Sequence, residues 1–119
     1  MTDPEPVSDA RFEELAEEAL DALPDWILTR LDNVSVLIEP TPPPEQPNLA
    51  GLYEGVPLTR RDSGYQMVLP DRITLFRSVL LNGAHTEEDV RERVRHTVIH
   101  EVAHFFGLSD DQLREMGRY

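Results

Sequence analysis

Valine recurs at every fourth position between Thr86 and Gly107, and this spacing constrains the fold more than any other feature of the chain. The repeat consists of Val90, Val94, Val98 and Val102. Residues four apart lie on one face of an α-helix, so the repeat predicts a long helix that buries one side. Thr86 and Asp89 form a capping-box-like start, and Gly107 is a typical helix stop. The segment therefore predicts the main helix of the protein.

The first 39 residues predict two helices and a strand. Ser8 or Asp9 can cap a first helix, and Pro24 ends that helix or begins a second short one. The first helix has apolar side chains at helical spacing: Phe12, Leu15, Ala16, Ala19, Leu20 and Leu23. The segment Val34–Glu39 is rich in β-branched residues and predicts a strand. These elements contain too little apolar surface to fold as a domain by themselves.

The middle of the chain predicts two further strands. Residues 40–47 carry five prolines and predict a stiff surface loop. Residues 49–59 have the composition of a strand broken by glycine and proline, and Ile73–Arg77 alternates like a third strand. Because no crossover helix lies between the strands, we expect an α+β fold with a small antiparallel or mixed sheet packed on helices. We expect residues 1–119 to form one domain in which residues 1–7 are disordered.

An excess of acidic residues excludes some classes of partner. The chain carries 23 acidic and 11 basic residues, for a formal net charge of −12. Nucleic-acid-binding proteins normally present a basic surface, and anionic membranes repel an acidic one, so we expect neither partner. Neither a long apolar run nor a signal-peptide pattern is present, which predicts a cytoplasmic protein. A divalent cation or a basic peptide is a more natural partner.

The second half of the main helix carries the sequence His-Glu-Val-Ala-His at positions 100–104. His100 and His104 lie one turn apart on the same face, so a rise of about 6 Å lets both imidazoles reach a single ion. Glu101 lies about 100° round the helix from His100, where its carboxylate can hold a water molecule. Because the chain contains no cysteine, any zinc must be bound by histidine and carboxylate. The motif therefore predicts a zinc site with Glu101 as the general base.

A catalytic zinc site needs a third protein ligand besides the two histidines. Gly107 ends the helix three residues after His104, and the chain can then turn back towards the metal. Asp110 is the first ligand-type residue after that turn, and we predict that it is the third ligand. Asp111, Glu115 and a water molecule remain alternatives, and an acidic residue here is also favoured by the dipole of a following helix.

Further residues near the motif have weaker predicted roles. Ser109 and Gln112 form a second capping box, which predicts a last helix from Asp110 to about residue 116. His96 shares the helix face of the motif and is either a group that supports the metal ligands or a solvated histidine. His85 lies in the loop before the helix, where a functional role is as well supported as none.

The motif, followed by Gly107 and Asp110, resembles the zincin metallopeptidases, and the extended form is similar to the metzincins. An aspartate where most metzincins carry a third histidine is similar to the snapalysin type. Over residues 86–116 the chain looks most like the compact bacterial minimal zincins, which are predicted zincin-like metalloproteases. Metzincins also carry a methionine turn well downstream, whereas only nine residues follow Asp110 here. Met116 is therefore expected to be a core residue.

The resemblance implies a zincin-like fold with the motif on a C-terminal helix. It implies that His100, His104 and Asp110 bind zinc and that Glu101 acts as the general base. It also implies that the strand before this helix, Ile73–Arg77, is an edge strand that pairs with a peptide substrate.

These patterns lead to two main hypotheses on function. The first is a zinc-dependent metallopeptidase, a hydrolase that acts on peptides or unfolded proteins through metal-activated water. The alternative is a zinc-stabilised peptide- or protein-binding module with a zincin site and no turnover, and a third possibility is a structural domain without metal. Another divalent transition metal such as cobalt or nickel would accept the same ligands. Tyr119, His85 or an arginine are all candidates for a second electrophile.

Overall fold

The computed structural model describes residues 6–31, 34–55 and 71–115, with the backbone only at Arg30, Asp110, Leu113 and Glu115. Its helices and strands are α1 (Asp9–Asp21), α2 (Asp25–Arg30), β1 (Val34–Glu39), β2 (Gly51–Glu54), β3 (Asp71–Phe76), α3 (Arg77–Leu81), α4 (Glu87–Phe105) and α5 (Asp110–Glu115). The α+β class is confirmed. No helix among these residues is long and apolar enough to cross a membrane.

The long helix α4 begins where the local sequence predicts. Thr86 Oγ1 accepts a hydrogen bond from the Asp89 backbone N–H at 3.1 Å, and the Asp89 carboxylate accepts one from the Thr86 N–H at 3.2 Å. The backbone N–H groups of His85 and Thr86 stabilise the Asp89 carboxylate and lower its pKa. The four valines of the repeat are at most 1% exposed. The predicted capping box and the predicted buried face are therefore both confirmed.

The three strands form one mixed sheet in the order β1-β3-β2. β1 runs parallel to β3, with Val34 opposite Asp71, and β2 runs antiparallel to β3, with Gly51 opposite Leu75. β3 is therefore a central strand. The expectation that residues 73–77 form an edge strand that pairs with a peptide is wrong, because both sides of β3 are hydrogen-bonded to neighbouring strands. In the described part of the chain the sheet edges are β1 and β2.

Two strand boundaries differ from the predicted ones. β2 covers only residues 51–54 of the predicted 49–59, of which residues 56–59 lie outside the described residues. β3 ends at Phe76 because Arg77 begins α3. The Arg77 guanidinium lies 2.8 Å from the Asp9 carboxylate and donates to the Val7 carbonyl oxygen at 3.2 Å. Val7 belongs to the segment expected to be disordered but is buried, while residues 1–5 lie outside the described residues.

One face of the sheet packs against helices and forms the hydrophobic core. Side chains alternate between the two faces of a strand, so Ile73 and Leu75 lie in the core while Leu37 and Leu52 on the other face are 38% and 39% exposed. The helices contribute Phe12, Leu15, Ala16, Val90, Val94, Val98 and Val102 to the same core. The sheet and α1 together therefore enclose the valine face of α4.

Two arginines join α1 to α4 at the surface. Arg11 makes a bidentate contact with Glu87, at 2.9 Å for Nε–Oε1 and 3.2 Å for Nη2–Oε2. Its guanidinium holds the pKa of the Glu87 carboxyl below the usual value. One turn later Arg91 Nε lies 3.0 Å from Glu18 Oε2. These pairs connect two helices that both carry many acidic residues and would otherwise repel each other.

Substitution Thr86→Ala tests the start of α4. Loss of the hydroxyl leaves the Asp89 backbone N–H without its capping acceptor, and we expect the free energy of unfolding to fall by about 1 kcal/mol. Urea unfolding followed by circular dichroism measures this change. Thr86→Ser keeps a hydroxyl at the same position and should lose much less. Equal losses in the two variants would contradict the capping role.

Candidate metal centre

His100 and His104 lie in the last two turns of α4 with their rings side by side. The ring centroids are 4.2 Å apart, with an angle of 66° between the ring planes. Residues two positions apart point to nearly opposite sides of a helix, and Val98 and Val102 are buried. Burial of these valines therefore turns both histidines away from the core. The packing of α4 thus presents two imidazoles on one surface.

Glu101 lies on the side of α4 that faces β2. It is half-buried and follows Thr97 by one helical turn. Thr97 packs against β2 so closely that a Cβ atom at position 51 would lie 2.8 Å from Thr97 Cγ2. Its helical position therefore places Glu101 next to the histidine pair, on the side of α4 that carries Thr97.

The two imidazoles fit part of the donor set of a zinc ion. Imidazole nitrogen is a favoured zinc ligand, and two rings one turn apart on a helix can bind one ion. Among the side chains that the structure describes, no group of three histidine, aspartate or glutamate residues converges on one point. The histidine pair accounts for two of the three protein ligands that a catalytic zinc site uses.

The chain reverses direction directly after His104 through a glycine turn. Gly107 has a φ of +75°. The N–H groups of Gly107 and Leu108 donate to the carbonyl oxygens of His104 and Ala103 at 3.0 and 2.8 Å. These bonds form a Schellman end, which requires a residue in the left-handed conformation. The predicted helix stop is confirmed, and α5 begins three residues later at Asp110.

The structure gives the backbone position of Asp110 at the start of α5. The predicted cap is present, because Gln112 N–H donates to Ser109 Oγ at 3.2 Å and Ser109 N–H donates to Gln112 Oε1 at 2.8 Å. The alternative ligand Asp111 is 87% exposed and lies 3.4 Å from Arg114 Nη1. An exposed carboxylate beside an arginine is a poor candidate for a shared metal site. Asp110 stays the predicted third ligand.

The other histidines differ in their distance from the motif. The His96 ring lies 5.5 Å from the His100 ring, centroid to centroid, with the planes 30° apart. It therefore extends the row of imidazoles by one turn. His85 lies in the loop before α4, 15 residues ahead of His100. The helix between them spans about 20 Å, so His85 does not reach the motif. The candidate Tyr119 and the expected core residue Met116 lie outside the described residues.

β2 runs along the motif-bearing side of α4. The Tyr53 ring lies 4.2 Å from the Phe105 ring, centroid to centroid. A Cβ atom at position 55 would lie 2.5 Å from two atoms of the Phe105 ring. These contacts were not predicted from the sequence, but glycines at 51 and 55 are a signal for them. A glycine within a strand often marks the close approach of another element.

A cavity of about 510 Å³ opens between α3 and α4, next to His96. Its walls are mainly apolar and include Ala50, Val79, Leu80, Glu92, His96 and Thr97. Arg93 also borders it, and its guanidinium donates to the carbonyl oxygens of Leu80 and Asn82 at the end of α3. A larger cavity of about 1240 Å³ lies on the other side of α3, beside the start of α1 and His85. Of these two cavities, the smaller one is lined by His96 and Thr97, about one turn before the motif.

Comparison with known proteins gives one family and one fold. A family model described as zincin-like metallopeptidase matches residues 31–118. The chain is similar to the solved structure of a conserved hypothetical protein from Thermus thermophilus, with 23% identity and a TM-score of 0.56. That match covers 84% of this chain and 94% of the other, and at such low identity it shows the fold alone. No curated protein matches the sequence.

Substitution Gly107→Ala tests the turn that joins the two halves of the candidate site. No atom lies within 4 Å of the position that a Cβ would take, so the cost arises from the backbone conformation alone. We expect the free energy of unfolding to fall by about 1–2 kcal/mol, measured by urea unfolding. Asparagine tolerates the left-handed conformation better, so Gly107→Asn should lose less. A loss in Gly107→Asn as large as in Gly107→Ala would contradict this account.

Proposed function

The chain belongs to the family of zincin-like metallopeptidases, and from this premise we propose that it is a zinc-dependent peptidase. His100, His104 and Asp110 would bind the ion, with Glu101 as the catalytic base. The observation that carries the proposal is the close pair of imidazoles on one face of α4, with ring centroids 4.2 Å apart. Two neutral imidazoles and one carboxylate form a ligand set that catalytic zinc sites use.

Glu101 performs the proton transfers of the proposed reaction. A zinc ion would supply Lewis acidity, which makes a water molecule nucleophilic and polarises the scissile carbonyl. The Glu101 carboxylate would accept a proton from the attacking water and later deliver it to the leaving amine. Its position beside β2 supports this role, because the group that takes the proton from water and gives it to the leaving amine must lie next to the bound peptide.

The edge of β2 is the proposed binding strand for the peptide. Among the described residues, no strand pairs with the outer edge of β2. β2 also follows α4 from Thr97 to Phe105. An extended peptide that adds to this edge would form main-chain hydrogen bonds and pass in front of the histidine pair. The formal net charge of −12 favours basic over acidic peptides.

The cavity next to His96 would receive a side chain of such a peptide. Ala50, which borders the cavity, directly precedes β2. A peptide along the edge of β2 therefore runs towards its opening. The mainly apolar walls favour an apolar side chain over a charged one.

Substitution Glu101→Gln tests the proposed base. The amide keeps the shape of the carboxylate but cannot accept a proton, and we expect hydrolysis to fall by about 10²–10⁴-fold. Zinc does not need this side chain as a ligand, so the zinc content should stay near one ion per chain. Mass spectrometry of a peptide-library digest, with and without chelator, measures hydrolysis, and elemental analysis measures zinc.

Glu88→Gln is a matched control for this experiment. It makes the same chemical change in the first turn of α4, where Glu88 pairs with Arg91, and should leave hydrolysis unchanged. Full activity of Glu101→Gln would refute the base assignment. A wild-type protein that binds zinc but shows no chelator-sensitive cleavage would favour the alternative, a zinc-stabilised binding module without turnover.

Substitution Val79→Phe tests the cavity next to His96. The larger ring fills space between α3 and α4, so peptides with a large apolar side chain beside the cleaved bond should be cleaved about 10-fold less. Peptides with alanine there should be affected little, and comparison of library cleavage patterns measures the difference. Val79 also borders the larger cavity, so Ser78→Phe, which adds the same ring where only the larger cavity is lined, is the control and should leave the cleavage pattern unchanged. A uniform loss over all peptides in Val79→Phe would contradict the role of the cavity in specificity.

A further inference from the structure

A series of contacts leads from the central strand of the sheet to the last turn of α4. Tyr53 Oη donates a hydrogen bond to Asp71 Oδ2 at 2.8 Å, and each residue is only 9% exposed. The Tyr53 ring then contacts the Phe105 ring at 4.2 Å between centroids, with the planes 34° apart. Phe105 directly follows His104, which is one of the proposed metal ligands. Tyr53 is thus linked to a proposed metal ligand by one ring contact and one peptide bond.

The Phe105 ring packs against two positions of the β2 segment, Tyr53 and Gly55. Tyr53 contacts it, and the ring lies so close to Gly55 that a Cβ atom there would be 2.5 Å from Phe105 Cε1 and Cζ. The same Cβ atom would lie 3.6 Å from Asp71 Oδ1. Asp71 therefore lies close to the space that the Phe105 ring occupies. It also accepts the hydrogen bond of Tyr53, whose ring packs against Phe105. A shift of either side chain would change the position of Phe105.

No further helical turn follows the last turn of α4, whose carbonyl groups are bonded by the Schellman end. His104 lies in that turn, so its direction depends on tertiary contacts as well as on the helix itself. Val102 and Ala103 in the same turn are buried. The contact between Phe105 and Tyr53 holds the side next to β2, where the peptide would bind.

We propose that Tyr53 is a positioning residue for the metal centre. Fixed by its hydrogen bond to Asp71, it holds Phe105 in place and thereby sets the direction of the His104 imidazole towards His100 and the ion. A phenylalanine at position 53 would fill the same core space, so packing alone does not require the buried hydroxyl and carboxylate. The inference rests on metal binding as part of the proposed function, and it does not require that peptides are cleaved.

Two variants and their combination test this inference. Tyr53→Phe removes the hydrogen bond but keeps the ring, and Phe105→Leu removes the ring at a position that is 47% exposed and so tolerates the change. Each should weaken zinc binding about 10-fold, as expected for a group that orients a metal ligand. Because both variants interrupt the same series of contacts, the double variant should bind zinc about as weakly as either single one.

Two measurements that do not depend on hydrolysis report the effect. Competition with a chromophoric chelator gives the zinc affinity, and the visible absorption of the cobalt-substituted protein reports the geometry of the metal ligands. Tyr53→Phe and Phe105→Leu should both change the cobalt spectrum. Val90→Ala is the matched control, because it destabilises the core at the far end of α4 and should leave zinc affinity and the cobalt spectrum unchanged.

Unchanged zinc affinity and an unchanged cobalt spectrum in Tyr53→Phe would overturn the inference. Equal weakening in Val90→Ala would also overturn it, because the effect would then follow stability and not ligand position. A wild-type protein that binds zinc without cleaving peptides would refute the proposed activity but leave these measurements decisive for Tyr53. A wild-type protein that binds no transition metal would refute both.

Discussion

Burial of the valine face of α4 is the interaction on which the rest of the structure depends. The valines pack between α1 and one face of the sheet, and this contact fixes the rotation of the helix about its axis. A rotation by one residue, about 100°, would bury a histidine and expose a valine. Packing of the core therefore sets the direction of His100 and His104 without any contribution from a bound metal. The same helix therefore supplies both core residues and the candidate site.

The parts of the fold that depend on local chemistry were predictable from the sequence. The capping box at Thr86 and Asp89, the glycine stop at Gly107 and the capping pair at Ser109 and Gln112 are all present. The order of the strands was not predictable in the same way. β1 pairs with β3 although β2 lies between them in the chain, and no local pattern encodes such a long-range choice. The family resemblance suggested an edge strand at residues 73–77, and the pairing on both sides of β3 overturned it.

In the candidate site, too, the residues that depend on local spacing were predictable and those that depend on tertiary packing were not. His100, Glu101 and His104 belong to one helix, so spacing alone was enough to predict that the two histidine rings lie together. Tyr53 lies in β2 and Asp71 begins β3, and no local pattern links either residue to the motif. Their hydrogen bond and the contact with Phe105 depend on how β2 packs along α4. The glycines at 51 and 55 indicated a close approach, but their sequence neighbours do not reveal which element approaches.

The position of Gly107 between the proposed ligands couples metal binding to the fold of the last two helices. His104 lies before the turn and Asp110 after it, so an ion bound to both would cross-link α4 to α5. The left-handed glycine and the cap at Ser109 already set the path of this turn, which reduces the ordering that binding must impose. The contact between Tyr53 and Phe105 anchors the α4 side of the turn to the sheet. A metal ion at this point would therefore bind where the backbone path between the two ligands is already set. Its binding energy would stabilise α5, none of whose described side chains belongs to the hydrophobic core.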